Sequence, residues 1–215
     1  MGYRLKKGIL IVFEGIDGTG KTTQAEILLD RLRKKDFETV YFQEPSMGKW
    51  GRKIKKKAVF ANSITPEEEL DLFQKDRREN VEKNLKPALE KRKIVILDRY
   101  YFSTIAYQGA RGIDQGFIRS INEEFVVMPD LVFILDIDVK NGLQRIETRK
   151  KRDILFEQEE YLVKAREIFK SFKGENIIHI DGHKPIEEIS NEIGAVVFKY
   201  LDSQLIGNGS IFPLP

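Results

Sequence analysis

Between Gly15 and Thr23 the chain reads GIDGTGKTT, three glycines, a lysine and three threonines that match the pattern G-x-x-x-x-G-K-[ST]. Glycines without a Cβ let successive backbone N–H groups converge on phosphate oxygens, and a helix opening behind them presents its positive dipole end to the same anion. Gly15, Ile16, Asp17, Gly18, Thr19 and Gly20 form the loop. Lys21 reaches the outer phosphates, Thr22 offers a hydroxyl to Mg²⁺, and Thr23 continues the first helical turn. The chemistry implied is the grip of a nucleoside triphosphate by its phosphate tail.

A second polar cluster is DRYYFSTIAYQGARG, Asp98 to Gly112. Asp98 ends an apolar strand, where ligands bind open α/β sheets, and is placed to orient Mg²⁺ through water. Arg99, Ser103, Thr104, Tyr107 and Gln108 recur at helical spacing, so several can share a face directed at a ligand. The Asn-Lys-x-Asp reader of switch GTPases is missing, since no asparagine precedes a lysine.

What attacks the γ-phosphate decides the subclass. A sugar hydroxyl needs a base to take its proton, whereas a phosphate acceptor, with a second pKa of about 6, is already mostly ionised and needs neutralising charge. The two histidines, His179 and His183, fall in or just after the last apolar run and are read as structural or nucleotide-base-loop residues. Arginines are frequent: Arg77 and Arg78, Arg99, Arg111, then Arg145, Arg149 and Arg152 in RIETRKKRDILFEQEE. That last segment is suited to close over the triphosphate as a lid, its guanidinium groups stabilising the transferring phosphoryl.

The elements that must position these residues follow from apolar runs. ILIVF (from Ile9), TVYF (from Thr39), IVIL (from Ile94), LVFIL (from Leu131) and IIHI (from Ile177) are short, rich in β-branched and aromatic residues, and not alternating, as strands buried on both faces are. Amphipathic helical patterns separate them, which predicts an α/β fold: a parallel five-stranded sheet flanked by helices. Thr65, Pro66 and Glu68 combine a capping threonine, a proline at the first helical position and a capping-box glutamate, opening a helix expected to run toward Pro87.

A chain of 215 residues with 41% hydrophobic content supports one core, read as a single domain over 1–205 with a lid near 145–160 and a loose tail over 206–215. Zero cysteines suit a reducing compartment, and no apolar run is long enough to span a membrane, so a soluble cytoplasmic protein is expected. The short apolar stretch near the N-terminus lacks the cleavage site of a signal peptide. A net charge of +3 does not argue for nucleic acid, and the run GKWGRKIKKKA from Gly48 reads as an exposed basic helix face.

Taken together, FEGIDGTGKTTQ, Glu44-Pro45, LFQKDRREN (Leu72 to Asn80), DRYYFSTIAYQGARG, MPDLVFILDID (Met128 to Asp138) and the lid segment resemble the thymidylate kinases, over about Ile9 to Ile193. The resemblance implies the three-layer P-loop NTPase fold and transfer of the ATP γ-phosphoryl group to dTMP with Mg²⁺, in a homodimer. It further implies that Asp17 meets the acceptor's 3′-hydroxyl or the metal and that Phe73 stacks on thymine. Arg77 and Arg99 would hold the acceptor's phosphate and base, with Glu44, Ser103 and Thr104 in the same site. Gln108 would bond the pyrimidine edge and Tyr107 would crowd a ribose 2′-hydroxyl. Where some members of that family place an arginine in the loop this chain has Gly18-Thr19, so the catalytic arginine is expected from the lid, at Arg149 or Arg152. Two segments depart from the family pattern: QEPSMGKWG (Gln43 to Gly51) replaces Arg-Glu-Pro-Gly-Gly-Thr, and DILFE (Asp153 to Glu157) replaces Asp-Arg-Phe-Glu. Two alternatives stay open: a deoxynucleoside kinase with Glu44 as base, and a non-catalytic ATP-binding protein.

Overall fold

A computed structural model describes residues 3–58, 64–147 and 155–206. Arg149 and Arg152, in the stretch 148–154 of the expected lid, lie outside the described residues, as does the tail beyond Ile206.

Five strands, β1 (Ile9–Glu14), β2 (Thr39–Gln43), β3 (Ile94–Asp98), β4 (Leu131–Asp136) and β5 (Ile177–Asp181), form one sheet in the order β2-β3-β1-β4-β5. All four pairings are parallel. Each apolar run extends by one polar residue at its carboxyl end, which brings Glu14, Gln43, Asp98, Asp136 and Asp181 to one rim.

The runs do not alternate because both faces are covered. Leu10 and Val12 point into one core with Val95, Leu97, Val132 and Ile134; Ile9, Ile11 and Phe13 point into the other with Ile94, Ile96, Leu131, Phe133 and Leu135. The second face is closed by α1 (Lys21–Lys34) and α9 (Ile186–Gln204) through Leu28, Leu32, Ile193 and Val197. The first is closed by α3 (Pro66–Asn80), α4 (Lys86–Glu90), α5 (Tyr101–Ala110), α6 (Gln115–Glu123) and α8 (Leu155–Ser171). Each fully buried Leu, Ile or Phe contributes about 2 kcal/mol, so a charge at Ile11 or Val12 would be among the most damaging single changes. The remaining helices, α2 (Lys49–Ala58) and α7 (Val139–Glu147), follow β2 and β4 at the functional rim.

The cap expected at Thr65 is present in full: its hydroxyl accepts from the Glu68 N–H at 3.2 Å, and the Glu68 carboxylate accepts from the Thr65 N–H at 3.1 Å. The helix does not stop at Pro87. It widens into a π-helical turn over Val81–Leu85 and continues as α4, with Pro87 in the first turn, where its missing N–H and its ring are tolerated.

Candidate active site

The phosphate loop is wedged between β4 and α7. Gly15 has φ +132°, and a Cβ there would lie 2.3 Å from the Leu135 carbonyl oxygen; Gly18 has φ +83°, and its Cβ would lie 2.4 Å from the carbonyl of Gly142. Neither position admits a side chain. Gly20 then caps α1 without a side-chain bond, and the first turn of α1 carries no acid. Its N–H groups therefore open onto a cavity of about 800 Å³ whose walls include Asp17 to Gln24. Such a helix end is an anion site.

Lys21 lies within this loop, 6% exposed, its ammonium donating to the Ile16 carbonyl at 2.7 Å. Burial, reinforced by the nearby charge of Arg99, pulls its pKa down to about 8. An anion beside it would reverse that shift, so affinity for phosphate is built into the burial. Across the mouth of the loop, the Thr22 hydroxyl donates to Asp98 at 2.5 Å, and the Tyr41 hydroxyl to the same carboxylate oxygen at 3.2 Å. Thr22 and Asp98 are hard oxygen donors next to the anion site. They fit Mg²⁺, which takes one or two protein oxygens plus phosphates and water.

Arg99 follows β3 with φ +70°, a left-handed conformation that is costly for a residue with a Cβ. Its backbone N–H donates to the Phe13 carbonyl at 2.9 Å, and its guanidinium to the Gly15 carbonyl at 3.2 Å and to Ser103 Oγ at 2.9 Å. It also pairs with Asp17, holding that carboxyl below the usual carboxylate range. The guanidinium lies 5.3 Å from the Tyr107 ring centroid. Ser103 and Tyr107 thus share one side of α5, where Arg99, just before the helix, meets both and pairs with Asp17.

Thr104 and Gln108 face α3 instead. Arg77, 1% exposed, donates to Glu44 at 2.8 Å, to Asn122 at 2.6 Å and to Thr104 at 3.0 Å. Glu44 also accepts from Asn80 at 3.1 Å, and burial raises its pKa despite the arginine. Gln108 donates to Glu69 at 2.8 Å, and Phe73 is half-buried on the same helix as Arg77. Arg77 is thus the centre of a buried polar network rather than a free guanidinium.

At the far end of the cavity Arg145 donates to the Gly18 carbonyl at 3.3 Å and the Gly182 carbonyl at 3.5 Å. Gly182, Lys184 and Ile186 complete that wall, so the loop after β5, distant in sequence, borders the phosphate loop. His183 bridges Asp181 at 2.8 Å and Asp138 at 3.0 Å, and the hydrogen bonds to these carboxylates raise its pKa.

A family model described as thymidylate kinase matches residues 13–193, which include every residue lining this cavity. The chain belongs to the thymidylate kinase family. It is 47% identical over 188 residues to a thymidylate kinase of Akkermansia muciniphila, covering 87% of this chain and 90% of the relative. Against those of Desulfotalea psychrophila and Brachyspira hyodysenteriae the identities are 42% and 40% over 187 residues, covering 86% and 87% of this chain and 92% of each relative.

The departure from the thymidylate kinase pattern after β2 has a structural basis. Asp76 of α3 accepts from the Ser46 N–H at 2.7 Å and the Ser46 hydroxyl at 2.6 Å, so a serine-carboxylate clasp secures this loop. A Cβ on Gly51 would fall 2.0 Å from the Ser46 carbonyl oxygen, which lets α2 start directly against it. Sequence reasoning missed the clasp, Tyr41 and Asn122. It also passed over Glu14, the one charge in an otherwise apolar strand, which was the signal available.

Proposed function

We propose that the protein is an ATP-dependent thymidylate kinase that transfers the γ-phosphoryl group of ATP to dTMP, giving dTDP. The observation that carries the reading is that two cationic stations, Lys21 in the phosphate loop and Arg99, line one cavity, with Asp17 paired to Arg99 and its charge felt at Lys21. A donor triphosphate on the first and an acceptor phosphate on the second would meet end to end. The residues align and neutralise the two anions; no group need remove a proton.

In this reading Lys21 and the N–H groups from Gly15 to Thr23 bind the donor's phosphates, and Arg145 borders its nucleotide end. Thr22 and Asp98 would hold Mg²⁺, whose charge offsets that of the triphosphate. Arg99 and Tyr107 face the acceptor, Asp17 its sugar, and Phe73, Thr104 and Gln108 its base. Arg77 contributes by ordering Glu44 and Thr104. Arg149 or Arg152 supplies the guanidinium that stabilises the transferring group. The reading includes a homodimer and a cytoplasmic setting, in keeping with the family resemblance and with a chain that has no cysteine.

The deoxynucleoside kinase alternative needs Glu44 as a free base, yet both its oxygens are engaged, by Arg77 and Asn80. Asp17, held at low pKa by Arg99, is a weak base. A coupled assay with ATP and each common nucleoside monophosphate, run beside thymidine, decides the matter. Turnover is expected with dTMP. Turnover of thymidine with dTMP inert would overturn the reading, and ATP binding with no transfer to any acceptor would leave only the non-catalytic alternative.

A further inference from the structure

Glu14 is the last residue of β1, fully buried directly beneath the phosphate loop. One of its oxygens accepts from the Tyr100 N–H at 2.7 Å and the Ser103 N–H at 3.1 Å; the other accepts from the Ser103 hydroxyl at 2.5 Å. These bonds replace a local cap, because α5 has no side-chain cap at Tyr100. A carboxylate from another strand, 86 residues earlier, closes the helix end.

The arrangement also dictates the orientation of Ser103. A serine hydroxyl has a single proton, and that proton is committed to Glu14. The lone pairs of Ser103 Oγ therefore face Arg99, which donates to it at 2.9 Å. We infer that Glu14 is a positioning residue of phosphoryl transfer, setting the acceptor-side guanidinium of Arg99 through the fixed hydroxyl of Ser103. The inference rests on the kinase reading above and assigns a part to a residue that the reading leaves unused.

A charge is needed for this, and an isosteric amide cannot replace it. In Glu14→Gln the amide oxygen still accepts from the Tyr100 and Ser103 N–H groups, so α5 stays capped. The amide N–H₂ now donates to Ser103 Oγ, so the hydroxyl proton loses the acceptor that fixed it and Arg99 shares the oxygen's lone pairs with a second donor. Burial raises the pKa of the native carboxyl to about 7, so the charged form that this arrangement requires prevails at pH 8.

The test compares Glu14→Gln, Ser103→Ala and the double variant with the unaltered protein, using steady-state kinetics with ATP and dTMP and thermal melting at pH 8. Expected for Glu14→Gln is a loss of roughly 10- to 100-fold in kcat/KM for dTMP, the scale of a misplaced reacting group. KM for ATP should stay within about twofold, and Tm should not fall, because the neutral amide escapes the desolvation cost. The double variant should be no worse than Glu14→Gln, since both changes break one relay. Unchanged kcat/KM in Glu14→Gln, additive losses in the double variant, or a lower Tm with equal loss of ATP affinity would each overturn the inference. An unaltered protein inert toward dTMP would instead sink the kinase reading, and this inference with it.

Discussion

Thr22, in the first turn of α1, donates its hydroxyl to the carboxylate of Asp98 at the end of β3, 2.5 Å away across 76 residues of chain. Both residues line the cavity beside the phosphate loop. Replacing Asp98 with Asn keeps the shape but removes the charge. The Mg²⁺ concentration for half-maximal turnover is expected to rise at least about tenfold, as for other groups that orient a metal. A magnesium titration at saturating ATP measures this, and an unchanged midpoint would place the metal elsewhere.

Lys21→Ala should lower kcat/KM by on the order of 10³, as loss of a preorganised charge at a transferring group does. Because the native ammonium is buried and held near pKa 8, its removal relieves a desolvation cost. The variant should therefore melt no lower than the parent, which differential scanning calorimetry would detect.

Arg152→Ala should lower kcat more than it raises KM, and Arg149→Ala should have the smaller effect, if the guanidinium of Arg152 acts chiefly in the transition state. Single-turnover and steady-state rates on the two variants check the order. Equal losses, or none, would reassign the catalytic arginine.

Arg77→Met strands the Glu44 carboxylate in a site where it is almost fully buried. Removing one partner of such a pair costs about 3–5 kcal/mol. Denaturant unfolding should show that loss, and adding Glu44→Gln to the same chain should recover much of it. A cost below about 1 kcal/mol for the single change would mean that the pair is solvated in solution.

The pH dependence of stability carries the imprint of Glu14. Its pKa is about 7 in the folded protein against 4.5 as an ordinary carboxyl, so the native state binds more protons between those values. Its contribution is present below the unfolded pKa and is lost as pH rises to the folded one, about 3 kcal/mol in all. Glu14→Gln should flatten the fall in unfolding free energy between pH 4.5 and 7 relative to the parent. Parallel pH profiles for the two proteins would contradict the assignment.

The parts of this molecule legible in its sequence are those set by local chemistry. Continuous apolar runs announced buried strands because both faces of the sheet are covered, and the glycine spacing announced the phosphate loop because only glycine fits against Leu135 and Gly142. The i, i+4 spacing of Ser103 and Tyr107 likewise put them on one side of α5, where Arg99, just outside the helix, meets them. The pairing of Arg77 with Glu44 was not legible, since the partners lie 33 residues apart and either charge alone reads as surface. Nor was the passage of α3 into α4, because a proline signals a stop unless the preceding turn widens, and that widening depends on tertiary packing.

The contact of Gly18 with Gly142, with Arg145 closing over the Gly18 carbonyl, makes the phosphate grip and the first two turns of α7 a single mechanical piece. A change that shifts the start of α7 therefore shifts the phosphate loop with it, although the two lie far apart in sequence.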